Sequence, residues 1–89
     1  MSPEISVVIL SWNDKKYLED CIGSLALANT LRSMEIIVVD NASTDGSPEM
    51  LLEKFPQVKI IRNSENVGFP RGNNIGMRAS QGKYLFLLN

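Results

Sequence analysis

Eighty-nine residues, 44% hydrophobic, 21% charged and 7% aromatic, make a single domain spanning 1–89 and exclude a multidomain enzyme, since a domain takes roughly 100–200 residues. Nine Lys and Arg against ten Asp and Glu leave a formal charge of -1, so no cationic excess exists to neutralise a run of phosphates, and nucleic acid is not an expected partner. One cysteine, Cys21, allows no internal disulfide, and the lack of histidine removes Cys/His zinc sites and every histidine-based triad or general base.

The first apolar run, Ile5 to Leu10, is β-branched with little alternation, the pattern of a strand covered on both faces. Asn13 or Asp14 then caps a helix whose buried stripe is Leu18, Cys21, Ile22 and Leu25. After a turn at Asn29 to Ser33, Glu35 to Asp40 repeats the covered-strand pattern and ends in the polar loop Asn41 to Gly46. Ser47 as cap and Pro48 at the first helical position open a second helix, with Leu51, Leu52 and Phe55 as its core face and Pro56 as its stop. Val58 to Arg62 is a third strand, charged as suits a sheet edge. Pro70 opens a third helix running to Ser80, with Ile75 and Ala79 on one face and Gly82 as its stop, before a fourth strand over Lys83 to Leu88.

Strand and helix in strict alternation, βαβαβαβ, predict a Rossmann-like three-layer α/β/α domain with a mostly parallel four-stranded sheet and right-handed crossovers. No apolar run approaches the roughly 20 residues of a membrane span, and the N-terminus carries no basic stretch or cleavage pattern of a secretion signal. A cytoplasmic, reducing setting is expected.

Ligands of such sheets bind beyond the carboxyl ends of the strands, so the residues there carry the functional reading. Neither G-x-G-x-x-G nor the P-loop pattern occurs, which excludes two common phosphate cradles. Asp40 at the tip of the second strand offers a carboxylate to a ribose hydroxyl or base N–H; the competing role, bonding backbone N–H groups of its own turn, stands level with it on position alone. Trp12 either stacks on a base or covers the end of the core. Gly68, Gly72 and Gly76 recur at every fourth position, a cost in helix propensity that implies close approach, to a ligand at Gly68 and Gly72 and to the sheet at Gly76. Arg71 has a charge for a pyrophosphate. Cys21, on the apolar stripe, reads as a buried thiol with no base to activate it.

Four stretches in order, Val7 to Asn13, Ile37 to Ser47 with its D-N-x-S-x-D-G-S segment, Asn66 to Gly76 with N-x-G-F-x-x-G-N-N-x-G, and Gly82 to Asn89, resemble the family 2 glycosyltransferases of the GT-A fold, the third stretch looking most like their rhamnosyltransferase-like members. The resemblance implies a nucleotide-diphosphate-sugar site. Ser11, Trp12 and Asn13 would line the nucleoside pocket, Asp40, with Asn41 beside it, would bond base or ribose, and Gly68, Arg71, Gly72 and Asn73 would lie along the other side of the nucleotide. Pro70 departs from the small residue usual there.

In that family an acidic D-x-D-like motif binding Mg²⁺ or Mn²⁺ follows the fourth strand, and the acceptor half carries the catalytic base. The resemblance therefore implies that this chain is the N-terminal, nucleotide-binding fragment of a glycosyltransferase acting on a glycan or polysaccharide acceptor, with no catalytic residue or metal ligand of its own, inactive alone, the parent peripheral at the inner membrane face. The alternative is a non-catalytic nucleotide-binding or protein-interaction module. A phospho-accepting receiver domain would need an Asp where Arg62-Asn63 stands. The apolar fourth strand, lacking neighbours, is expected to self-associate.

Overall fold

The structure is a computed structural model that describes residues 3–28 and 33–88. Four strands and three helices alternate: β1 (Ile5–Ser11), α1 (Lys15–Ala28), β2 (Met34–Asp40), α2 (Ser47–Lys54), β3 (Lys59–Arg62), α3 (Phe69–Ala79) and β4 (Tyr84–Leu88). All pairings are parallel in the order β3-β2-β1-β4, so the two most buried strands are central and the charged β3 and the apolar β4 are the edges. The expected turn at Asn29 to Ser33 lies, Ser33 apart, outside the described residues, as does Asn89.

Side-chain alternation along the strands separates two cores. Val7, Ile9, Ile36 and Val38 pack against Leu18 and Ile22 of α1 and Met50 and Leu51 of α2. Val8, Ile37 and Val39 face the other way, with Ile75 of α3 against them. This is the three-layer arrangement that the alternating elements predicted.

Three details differ from the sequence reading. Leu52 is 62% exposed and Met50 takes its place in the core, because α2 turns Met50, Leu51 and Phe55 towards the sheet. Ala79 is exposed, and the buried positions of α3 are Gly72, Asn73 and Gly76. A Cβ on Gly76 would lie 2.3 Å from Val8 Cγ1 and 3.0 Å from Val39 Cγ2, so glycine lets the helix backbone rest on the strands. Gly82 does not stop α3, which ends at Ala79 with Ser80 as its C-cap. Instead Gly82 crosses the start of β1, its N–H donating to Ser6 Oγ at 2.8 Å.

That crossing belongs to a polar network at the end of the sheet opposite the loops that follow β1 and β2. The buried Glu35 faces Ser6 across the strand pair and accepts from the Ser6 hydroxyl, from Lys59 Nζ at 2.7 Å and from the Gln81 N–H at 2.5 Å. Burial alone would raise the Glu35 carboxyl, but these donors outweigh it and hold the group below its ordinary range.

A methyl group at Gly82 would meet backbone, 2.6 Å from Ser6 N and 2.8 Å from the Ile5 carbonyl carbon, whereas one at Gly23, within α1, would meet nothing within 4 Å. Gly82→Ala is expected to cost about 2 kcal/mol by overpacking and Gly23→Ala to add about 1 kcal/mol through helix propensity. Urea denaturation would show the two midpoints moving in opposite directions at unchanged slope.

Candidate functional site

Parallel pairing places the amino ends of all three helices and the carboxyl ends of β1 and β2 on one edge. A cleft of about 370 Å³ opens there, lined by Ile9, Leu10, Ser11, Trp12, Asp14, Tyr17, Leu18, Asn41, Asn66, Gly68 and Phe69. Its floor is aliphatic, and its rim carries Trp12, Tyr17 and Phe69, each more than half exposed. Among the described residues no Lys or Arg lines it. Flat aromatic rims over an apolar floor suit a planar heterocycle, with polar atoms at the strand ends fixing its orientation.

Of the residues expected here, Ser11, Trp12, Asn41 and Gly68 line the cleft, and Asn13, Asp40, Arg71, Gly72 and Asn73 do not. Asp40 does not project freely from the sheet tip. It is 2% exposed, and its Oδ2 accepts the Ser43 N–H at 3.0 Å, the turn-bonding role that competed with ligand contact. Its Oδ1 is buried with no hydrogen-bond partner among the described residues, as are Ser11 Oγ and Asn73 Oδ1. Ser11 and Asp40 are register partners and so share a face of the sheet. An oxygen buried without a donor costs about 1–3 kcal/mol, and all three orphans are sequence-predicted site residues.

Gly72 has a packing reason: a Cβ there would sit 2.4 Å from Leu10 Cδ1 and 3.3 Å from Asn41 Nδ2. The close approach seen at this position is to the sheet. Gly68 differs, since φ of 87° at the start of α3 requires glycine and the space around a Cβ is open beside the cleft. Arg71 is exposed on the first turn of α3 and off the cleft wall.

Asn41 fixes the wall that carries Gly68. Buried at the end of β2, it accepts from Asn63 Nδ2 at 2.8 Å and from the Val67 N–H at 3.4 Å, and its Nδ2 donates to the Gly68 carbonyl at 3.4 Å. Asn13, with a positive φ of 50°, turns its side chain to the neighbouring loop: Oδ1 accepts the Thr44 N–H at 2.7 Å, and its own N–H donates to Ser43 Oγ at 2.8 Å.

Asp45 caps two helices at once. Its Oδ2 accepts the Lys15 N–H at 2.9 Å at the start of α1, and its Oδ1 accepts the Ser47 N–H at 3.0 Å and the Ser47 hydroxyl at 2.5 Å at the start of α2. Ser47 is therefore not the cap of α2; Gly46, left-handed at φ 85°, holds that position and Asp45 supplies the oxygen. Neither cap to α1 comes from Asn13 or Asp14 side chains: the Asp14 carbonyl accepts from Leu18, and the carboxylate comes from 30 residues downstream.

Tyr17, Phe69, Asn66 and Asp14 were missed as lining residues. Tyr17 sits one position off the core stripe of α1, and Asn66 and Phe69 lie inside the glycine-bearing segment, which was the available signal. The Cys21 thiol is partly buried against the core, and burial raises its pKa. Among the described residues no three His, Cys, Asp or Glu side chains come together to hold a metal.

The fold is an α/β domain with a cleft at the carboxyl ends of its strands, and comparison with known proteins makes the class specific. The family model for glycosyl transferase family 2 matches residues 6–89, and the chain belongs to that family. It is 34% identical over 85 residues to an uncharacterized glycosyltransferase of Haemophilus influenzae, covering 92% of this chain and 26% of the relative. To the N-acetylglucosaminyl-diphospho-decaprenol L-rhamnosyltransferase of Mycobacterium tuberculosis it is 32% identical, over 78% of this chain and 22% of that enzyme. The chain thus spans about a quarter of the length of these relatives. In structure it is similar to Staphylococcus aureus TarS 1-349 in complex with UDP, with a TM-score of 0.85 and 26% identity over 96% of this chain and 26% of TarS 1-349. The fold also matches the mannosyltransferase PcManGT of Pyrobaculum calidifontis in complex with GDP-Man and Mn2+, TM-score 0.74 at 24% identity over 90% of this chain and 25% of the other.

The Asp45 geometry sets a pH dependence. Burial acts to raise its carboxyl, but the Ser47 hydroxyl and the Ser47 and Lys15 N–H groups prevail and lower it below its ordinary 3.8. A carboxylate depressed in the folded state contributes stability that is complete above the unfolded value and is lost as pH falls through the folded one. Asp45→Ala is expected to cost about 1–2 kcal/mol at neutral pH, and thermal unfolding of both proteins should show that gap closing as pH drops below 3.8.

Proposed function

We propose that this chain is the nucleoside-binding part of an enzyme that transfers a sugar from a nucleotide-diphosphate sugar to a glycan or polysaccharide acceptor. The observation that carries the reading is the buried, unpartnered Oδ1 of Asp40 at the strand end beside the aromatic-rimmed cleft. A carboxylate oxygen in that state accepts an N–H or O–H, which a base or a ribose supplies. TarS, bound to UDP at 26% identity, supports a nucleotide in the same fold.

The roles follow from placement. Trp12 stacks on the base and Gly68 closes the far wall. Ser11, Asp40 and Asn73 direct acceptor oxygens at donors of the nucleoside, and Asn41 holds the loop that bears Gly68. Arg71, outside the cleft on α3, takes the diphosphate side. A divalent cation, Mg²⁺ or Mn²⁺, would supply charge neutralisation of the diphosphate leaving group when bound; its ligands belong to the parent outside this chain, and no transfer is expected from these residues alone. PcManGT, with its Mn2+, supports the cation.

No helix among the described residues is long and apolar enough to cross a membrane. We place the protein in the cytoplasm, with the parent peripheral at the inner membrane face in polysaccharide synthesis; an unpaired cysteine suits a reducing compartment. The edge strand β4 leaves Tyr84, Leu85, Phe86 and Leu87 between 40% and 53% exposed, on both faces of the sheet, which supports self-association of this chain through β4. Sedimentation equilibrium is expected to show a concentration-dependent dimer that Phe86→Lys abolishes; a monomer throughout would refute the contact.

Asp40→Asn preserves shape but turns one acceptor oxygen into a donor. Titration with UDP, dTDP and GDP is expected to show one of them binding the wild type, and the variant binding it about 10- to 100-fold more weakly, with the thermal midpoint of the free protein unchanged or raised. Failure of all three nucleotides to bind, together with no sugar transfer by the full-length parent, would overturn the assignment.

A further inference from the structure

The cleft wall formed by Trp12 and the turn that aims Asp40 belong to different loops, and they are tied together by side chains that touch neither the cleft nor the core. Asn13 Oδ1 accepts the Thr44 N–H at 2.7 Å and lies 3.5 Å from Thr44 Oγ1, and the Asn13 N–H reaches Ser43 Oγ at 2.8 Å. Two residues on, the Lys15 N–H reaches Asp45 Oδ2 at 2.9 Å. Ser43 is also the residue whose N–H holds Asp40 Oδ2 at 3.0 Å. Asn13 and Ala42 are the two non-glycine residues of positive φ, at 50° and 63°, among the described residues, and they sit on opposite sides of this tie. Backbone in the left-handed region persists where its surroundings over-determine it.

We propose that Asn13 is a positioning residue for the nucleotide and not a contact to it: its side-chain oxygen locks the loop after β1 to the loop after β2 at Thr44, and through the Ser43–Thr44 peptide it sets the direction of the free Asp40 oxygen. Asn13 is absent from the cleft wall while both its neighbours, Trp12 and Asp14, are part of it. The chain reverses its side-chain direction at Asn13 because φ is positive there, and that reversal lets Trp12 face the cleft while Asn13 faces Thr44. The tie is a specificity device as well as a structural one, since it couples the residue that stacks on the base to the residue that bonds its edge.

Asn13→Gly is the informative variant, because glycine accepts φ 50° without strain and removes only the side chain. Asn13→Asp restores an acceptor oxygen and lacks the amide donor. In the 89-residue chain, amide hydrogen exchange is expected to rise about tenfold at Ser43 in Asn13→Gly, the worth of one net hydrogen bond, with Val38 in the core unchanged and Asn13→Asp close to wild type. Ser43 bonds to Asp40 and not to Asn13 through that amide, so its exchange reports the transmitted effect. UDP titrated against the fluorescence of Trp12, the sole tryptophan, is expected to bind Asn13→Gly about tenfold more weakly and Asn13→Asp near normally. Unchanged Ser43 exchange in Asn13→Gly would overturn the proposal, and so would an Asn13→Asp variant as weak as Asn13→Gly, which would make the amide nitrogen a ligand contact. The affinity arm rests on the nucleotide reading above: a wild type unresponsive to UDP, dTDP and GDP refutes that reading, while the exchange arm still decides whether Asn13 controls Asp40.

Discussion

Parallel pairing of β1 and β2 in unbroken register, from Ile5 opposite Met34 to Ser11 opposite Asp40, is the constraint on which the rest of the molecule depends. It forces the two segments that leave these strands to emerge side by side, and each must satisfy its backbone polar groups before turning into a helix. The solution is reciprocal. The Asn41 N–H bonds to the Ser11 carbonyl at 2.8 Å, Asn13 to Ser43 and Thr44, and Asp45 to the first residues of both following helices. A slip of one residue would put the apolar faces of the strands in the wrong layers and separate every one of these partners.

The same constraint explains why polar atoms are spent so unevenly. Asp45 and Asn41 have their side-chain oxygens bonded, and they are scaffolding for the mouth of the cleft. Ser11, Asp40 and Asn73 are buried with an oxygen left over. Hydrogen-bond satisfaction thus separates side chains committed to holding the loops from side chains with an oxygen left unpartnered, although both kinds lie in the same short motifs. At the opposite end of the sheet Glu35 receives donors from Ser6, Lys59 and Gln81, which marks that end as structural.

Helix α3 shows how close packing and a positive-φ helix entry share one glycine series. Gly76 and Gly72 let the helix backbone lie on Val8, Val39 and Leu10, and Gly68 provides the left-handed entry that opens the loop beside the cleft. Spacing alone presents three equivalent positions. What differs is the neighbour each one meets: side chains of the sheet at two of them, and open space at the third.

The amino-acid order by itself determined the elements, their alternation, the covered strands and the edge position of β3, because β-branched runs and helical stripes are local patterns that report burial directly. It also pointed to the motifs on the functional edge. Only the tertiary structure decided which partner each residue of the motifs bonds or packs against. Asn13 and Asp45 bond partners about 30 residues away, Leu52 yields its core place to Met50, and Gly82 is shaped by the start of β1. These assignments rest on contacts across the strand pairing, and a contact between distant segments leaves no periodic trace along the chain.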